Sequence, residues 1–75
     1  MTYSNGTEII VGDKVMADDS KGTVVCVLDT KQFSDKYPQG WTDEDKGIFI
    51  ETQKWGLIHY PEVDEDVVFM ERAKT

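Results

Sequence analysis

One cysteine, one histidine and only 8 lysines and arginines against 15 acids: scarcity is the first information in this 75-residue chain. A lone cysteine excludes an intramolecular disulfide, and no Cys/His spacing suits zinc, so neither kind of staple supports the fold. The net charge of −7 repels phosphate backbones and anionic lipid, which argues against nucleic-acid and membrane partners. No apolar run approaches the ~20 residues of a spanning helix. Residues 1–7 carry neither the basic region nor the apolar stretch of an export signal, so a cytoplasmic setting is expected. For the same reason the glycosylation pattern Asn5-Gly6-Thr7 carries no weight. Internal repeats, low-complexity tracts and linkers are also missing.

Seventy-five residues suffice for one domain, 1–75, with one modest core. Val, Ile, Phe, Trp and Tyr favour sheet, and no stretch keeps a helical period, so an all-β fold is expected. Residues 1–7 read as a loose lead. Glu8-Ile-Ile-Val11 and Lys14-Val-Met-Ala17 flank Gly12-Asp13 as one bent strand or two short ones. Asp18-Asp-Ser-Lys-Gly22 is turn chemistry, with Gly22 suited to positive φ. Thr23–Leu28 is apolar on both faces and should be central in the sheet. A long connection, 29–46, leads to a strand at 47–52, a reversal around Trp55 and a strand at 57–60. Pro61 followed by acids predicts a single helical turn at 61–66. A closing strand at 67–72 leaves 73–75 to fray. Five to six short antiparallel strands with one long loop describe a small SH3-like barrel.

Val11-Gly-Asp-Lys-Val15 followed by Gly22-Thr-Val-Val25 resembles the opening of KOW, CAP-Gly and other SH3-like modules. The motif resemblance covers about residues 9–28. KOW resemblance implies RNA contact, but the basic loop residues such contact needs are absent. CAP-Gly resemblance implies capture of acidic tails, through a Gly-Lys-Asn-Asp-Gly-type loop that this chain lacks. The chain looks most like small, stand-alone bacterial SH3-like barrel proteins, a likeness of fold that does not carry function with it.

Catalysis has little to work with. Cys26 sits in Val-Val-Cys-Val-Leu, where a thiol packs as a small hydrophobe, and His59 in Leu-Ile-His-Tyr has no visible partner. We therefore expect no enzyme. Asp43-Glu-Asp45 faintly resembles a calcium loop, but Lys46 and Gly47 break the ligand pattern, and no metal or cofactor is expected.

Phe33, Tyr37 and Trp41 recur every four residues in the long loop, either as a satellite core or as a binding platform. Trp55, at a hairpin tip between Lys54 and Gly56, is hardest to bury. Tyr60 and Pro61 resemble the pair that lines peptide grooves in SH3-like barrels. Glu62, Asp64, Glu65 and Asp66 form the densest charge, either a solvated turn or a patch that docks a basic surface.

The expected function is a non-enzymatic protein-binding module in which Trp41, Trp55 and Tyr60, with Tyr37 and Phe33 nearby, are rimmed by Asp64, Glu65 and Asp66. An alternative is an acidic inhibitor or immunity-type protein that neutralises a basic nuclease or toxin. A distant third is KOW-like nucleic-acid binding. The chain is expected to be a monomer or a weak homodimer pairing through an edge strand within 8–17.

Overall fold

In the computed structural model, which describes residues 2–63 and 65–72, the chain is all-β. Its strands are β1 (Lys14–Ala17), β2 (Ser20–Val27), β3 (Ile48–Thr52), β4 (Gly56–Tyr60) and β5 (Val67–Glu71). They form one antiparallel sheet in the order β4-β3-β2-β1-β5. Among the described residues no pairing joins β4 to β5, so the ladder is not closed.

β2 lies at the centre, as its two-sided apolar pattern predicts. A bulge between Val24 and Cys26 lets it serve both faces. Val24 and Val27 pair with Ile50 and Ile48 in the main core, alongside Tyr3, Ile9, Val15, Ala17 and Val67. Cys26 pairs with Phe49 in a second cluster on the opposite face, with Leu28 and, partly buried, Val25. Without the extra residue, Cys26 would follow Val24 into the main core, because side chains alternate along a strand.

Several expectations need correction. The β1–β2 turn is Asp18-Asp19, with φ of 47° and 68°. Two positive φ values match the right-handed twist of a hairpin, and Asp tolerates that region better than most residues. Gly22 lies inside β2 instead, where the reason for glycine is space: a Cβ there would fall 2.7 Å from Ile50 Cγ2. Glu8–Val11 is not a strand; Glu8 makes one isolated bridge, to Thr2. The lead segment carries part of the core, since Tyr3 is only 2% exposed.

Among the described residues there is no helix, and 61–63 and 65–66 form bends and turns rather than the expected helical turn. β4 and β5 occupy opposite ends of the strand order, and extended backbone reaches about twice as far per residue as helix. Val63 meanwhile packs on the main core. The fraying expected at 73–75 and the role expected for Asp64 fall outside the described residues.

The strand expected to offer a free edge is interior. β1 is flanked by β2 on one side and β5 on the other. Among the described residues, the strands at the two ends of the sheet are β4 and β5.

A buried polar knot ties the start of the chain to its end. Asp13, fully buried, accepts hydrogen bonds from Tyr3 Oη at 2.7 Å, the Ile10 amide at 3.1 Å and Arg72 Nε at 2.9 Å. Arg72 also donates to the Glu8 carbonyl. Burial, and then the hydrogen bond to the Asp13 carboxylate, hold the Tyr3 phenol far above the usual tyrosine range. The unfolded chain ionises this tyrosine near pH ~10 while the folded chain keeps it protonated. Its contribution is therefore complete below that pH and falls as pH rises. Tyr3→Phe is expected to cost about 1–2 kcal/mol at neutral pH and to flatten the alkaline loss. Urea unfolding of both proteins near neutrality and near pH ~10.5 checks this; an equally steep alkaline loss in the variant counts against it.

Candidate functional site

The connection 29–46 folds as a strap across the second cluster. Phe33, Tyr37 and Trp41 are each half-buried against Cys26, Leu28 and Phe49. The rings run in a chain: Tyr37 to Trp41 with centroids 4.9 Å apart, Trp41 to Phe49 at 4.7 Å, and Phe49 stacked on His59 at 4.6 Å. Their polar ends are engaged as well. Trp41 Nε1 donates to Cys26 Sγ at 3.2 Å, and Tyr37 Oη donates to Glu51 Oε2 at 3.0 Å. Lys36 closes an ion pair with Glu51 at 3.2 Å. These partners, Lys36 foremost, hold the Glu51 carboxyl below its ordinary value. Burial pushes the Cys26 thiol up, so it is a packed group and a poor nucleophile. His59 holds its ring against Phe49 and places Nε2 3.0 Å from the Lys46 carbonyl oxygen.

Trp55 and Tyr60 belong to a different place. The β3–β4 tip is fixed by Thr52, whose Oγ1 accepts from the Trp55 amide at 2.9 Å and donates to the Gly56 carbonyl at 2.8 Å. The Lys54 amide donates to Ser20 Oγ at 2.9 Å, binding the tip to the start of β2. Trp55 remains 54% exposed, yet its Nε1 donates to the Asp18 carbonyl at 3.1 Å. Lys54 Nζ lies 4.9 Å from the centre of the Trp55 ring. Tyr60 Oη donates to Asp18 Oδ2 at 2.6 Å, and the Asp18 amide donates to the Asp66 carbonyl at 3.2 Å.

The turn at Asp18 thus gathers Trp55, Tyr60 and Asp66 at one place, with exposed Asp19 and Glu65 next in sequence to Asp18 and Asp66. Asp18 was not among the residues singled out from the sequence. Its turn chemistry was legible, but its contacts with residues 37 and 42 positions away were not.

The structure therefore divides the expected aromatic surface. Tyr60 packs on the main core through the Ile48 side of β3, whereas Trp41 packs on Phe49, which points to the other face. The tip carries the exposed indole, and the strap carries rings that mostly cover one another.

Open depressions mark the surface formed by the described residues, among them the following. One, of about 440 Å³, spans β5, β1, β2 and β3, with Lys14, Lys21, Thr23, Glu51, Gln53 and Met70 in its lining. Another, of about 260 Å³, lies under the strap beside Leu28, Phe33 and Gly40. Trp55 and Tyr60 line neither. Among the described residues no group of three or more His, Cys, Asp or Glu side chains could hold a metal ion, and no helix is long and apolar enough to cross a membrane. No protein-family model, curated protein or solved structure matches the chain.

Proposed function

We propose that the chain is a non-enzymatic protein-interaction module that takes up a basic segment of a partner at the Trp55–Tyr60 face. The observation that carries this reading is an indole 54% exposed and nevertheless anchored, through Nε1 to Asp18 and through its amide to Thr52. A ring held in place before binding loses little conformational freedom on contact, which is what an interface anchor requires. Asp18, Asp19, Glu65 and Asp66 supply the acidic rim, and the ring face already accepts a cation from Lys54. A lysine or arginine of the partner would compete with Lys54 for that face. The strand order and the bulged central strand support the finer reading of an SH3-like barrel, with its free cysteine in keeping with a cytoplasmic setting.

The test is affinity capture from a native lysate with wild type and Trp55→Ala. The variant is expected to keep its circular dichroism and lose the captured partner by at least about tenfold, roughly 1.4 kcal/mol. Loss of fold in the variant, or capture no better than background by wild type, sinks the reading. The net charge of −7 favours a second reading, an acidic inhibitor of a basic nuclease or toxin. That reading gains if capture survives Trp55→Ala but collapses with added salt, since screening acts within ~8–10 Å at moderate ionic strength.

A further inference from the structure

We propose that the Trp55 ring face is an arginine site, and that Lys54 occupies it as a built-in competitor until a partner's guanidinium displaces it. This inference rests on the interaction reading above and names the residue type that the site takes. The molecule itself fills the face with a cation, since Lys54 Nζ stands 4.9 Å from the ring centre. The ring is held beneath it, with Nε1 bonded to the Asp18 carbonyl and the Trp55 amide to Thr52 Oγ1. The Lys54 amide is likewise fixed, on Ser20 Oγ at 2.9 Å. What is left to move is the lysine stem.

Lys54 holds the face weakly. The ion pairs among the described residues are Lys36–Glu51 and Arg72–Asp13, so Lys54 Nζ has no carboxylate partner there. Asp18, whose carbonyl anchors the indole edge, commits only Oδ2 of its carboxylate, to Tyr60 Oη at 2.6 Å. Its Oδ1 accepts no hydrogen bond among the described residues, and Asp18 is exposed. The aromatic half and the anionic half of a cation site thus sit side by side, and the resident ammonium serves only the first.

A guanidinium can serve both halves at once. It is planar, stacks on an aromatic face, and carries N–H groups in its own plane that extend past the ring edge. Nε1 marks the edge on which Asp18 lies, so groups reaching past that edge meet the Asp18 carboxylate. An ammonium is a compact point charge without that reach. The chain already contains the combination: Arg72 has Cζ 5.6 Å from the Phe69 ring centre and Nε 2.9 Å from Asp13 Oδ1. Exchange at Trp55 therefore replaces one cation–π contact by another and adds a charge-assisted hydrogen bond.

The test titrates the full chain with acetyl-Gly-Arg-Gly-amide and acetyl-Gly-Lys-Gly-amide at equal salt, following both indole N–H resonances by NMR. Trp41, whose Nε1 is bonded to Cys26, is the internal reference. The arginine peptide is expected to move the Trp55 resonance, leave that of Trp41 in place and bind about two- to fivefold tighter than the lysine peptide. The Lys54 ε-methylene protons, shielded by the ring in the free chain, should return toward the ordinary lysine position as arginine peptide is added. Lys54→Gln should bind the arginine peptide about two- to fivefold tighter than Lys46→Gln, which removes the same charge from the strap. Asp18→Asn keeps an acceptor for Tyr60, tolerates the φ of 47° and should equalise the two peptides. Lys54 methylenes unshielded in the free chain, a Trp55 resonance unmoved by the arginine peptide, or equal affinities of the two lysine variants overturns the inference and leaves the interaction reading standing. So does wild type binding both peptides equally, or an arginine preference that persists in Asp18→Asn. Lysate capture that survives Trp55→Ala removes the interaction reading itself, and the partner role of the arginine site with it.

Discussion

Gly47→Ala is expected to remove more than half of the domain's stability. Gly47 has φ of +89°, and a Cβ there would run into the Tyr60 carbonyl oxygen and come within 2.6 Å of Pro61 Cα. Both obstacles are backbone, so no rotamer change relieves them. The amide of Gly47 also accepts no substitute position: it donates to Asp29 Oδ1 at 3.3 Å, and its carbonyl receives the Leu28 amide at 2.8 Å. Left-handed backbone alone costs a non-glycine residue about 1 kcal/mol, and forced displacement of a neighbouring strand adds several more. A domain of this size holds about 5 kcal/mol in all. Gly40→Ala is the matched control, because its φ is +92° and nothing lies within 4 Å of the added carbon. Gly40→Ala should lose about 1 kcal/mol in urea unfolding, and Gly47→Ala more than about 3 kcal/mol. Equal losses in the two would show that the approach of Gly47 to the Tyr60–Pro61 backbone does not constrain the fold.

The second large effect is expected at Arg72. Its guanidinium sits at 2.9 Å from a carboxylate with no exposure of its own, while the Arg72 side chain is 43% exposed. Removing the arginine strands a buried charge whose remaining donors are Tyr3 and the Ile10 amide. Breaking a fully buried pair costs about 3–5 kcal/mol; the wet arginine side lowers this to about 2–3 kcal/mol for Arg72→Ala. Arg72→Lys retains the charge without the planar fork and should recover part of the loss. Thermal unfolding of the two variants checks the order, and an Arg72→Ala protein within about 0.5 kcal/mol of wild type would mean that the knot is ornamental.

Much of the architecture was readable in residue patterns because strands announce themselves by local chemistry. β-Branched runs and glycine-marked reversals located the strands to within a few residues, and the two-faced pattern at 23–28 placed β2 in the middle. The failures share a cause: each depends on residues distant in sequence. Gly22 reads as a turn former until Ile50 is seen above it. Asp13 reads only as part of the break between two strand segments until Tyr3 and Arg72 converge on it. The expected helical turn satisfied local rules, but the link between β4 and β5 has to travel between opposite edges of the sheet.

For the candidate site, the hairpin tip identified Trp55 as exposed, and the structure leaves it so. The spacing of Phe33, Tyr37 and Trp41 left core and platform both open. Their half-burial comes from Phe49, which alternates away from Ile48 and Ile50 along β3, and from Cys26, which reaches that face because β2 is bulged.

That single inserted residue has a wider meaning. One stretch of backbone, Val24–Val27, supplies the floor of one hydrophobic cluster and the ceiling of the other. Neither can be dissolved, redesigned or lost by deletion without dislodging its counterpart. The strap with its aromatic rings is thereby bound to the same fate as the interior beneath it, and the domain has no half that can be spared.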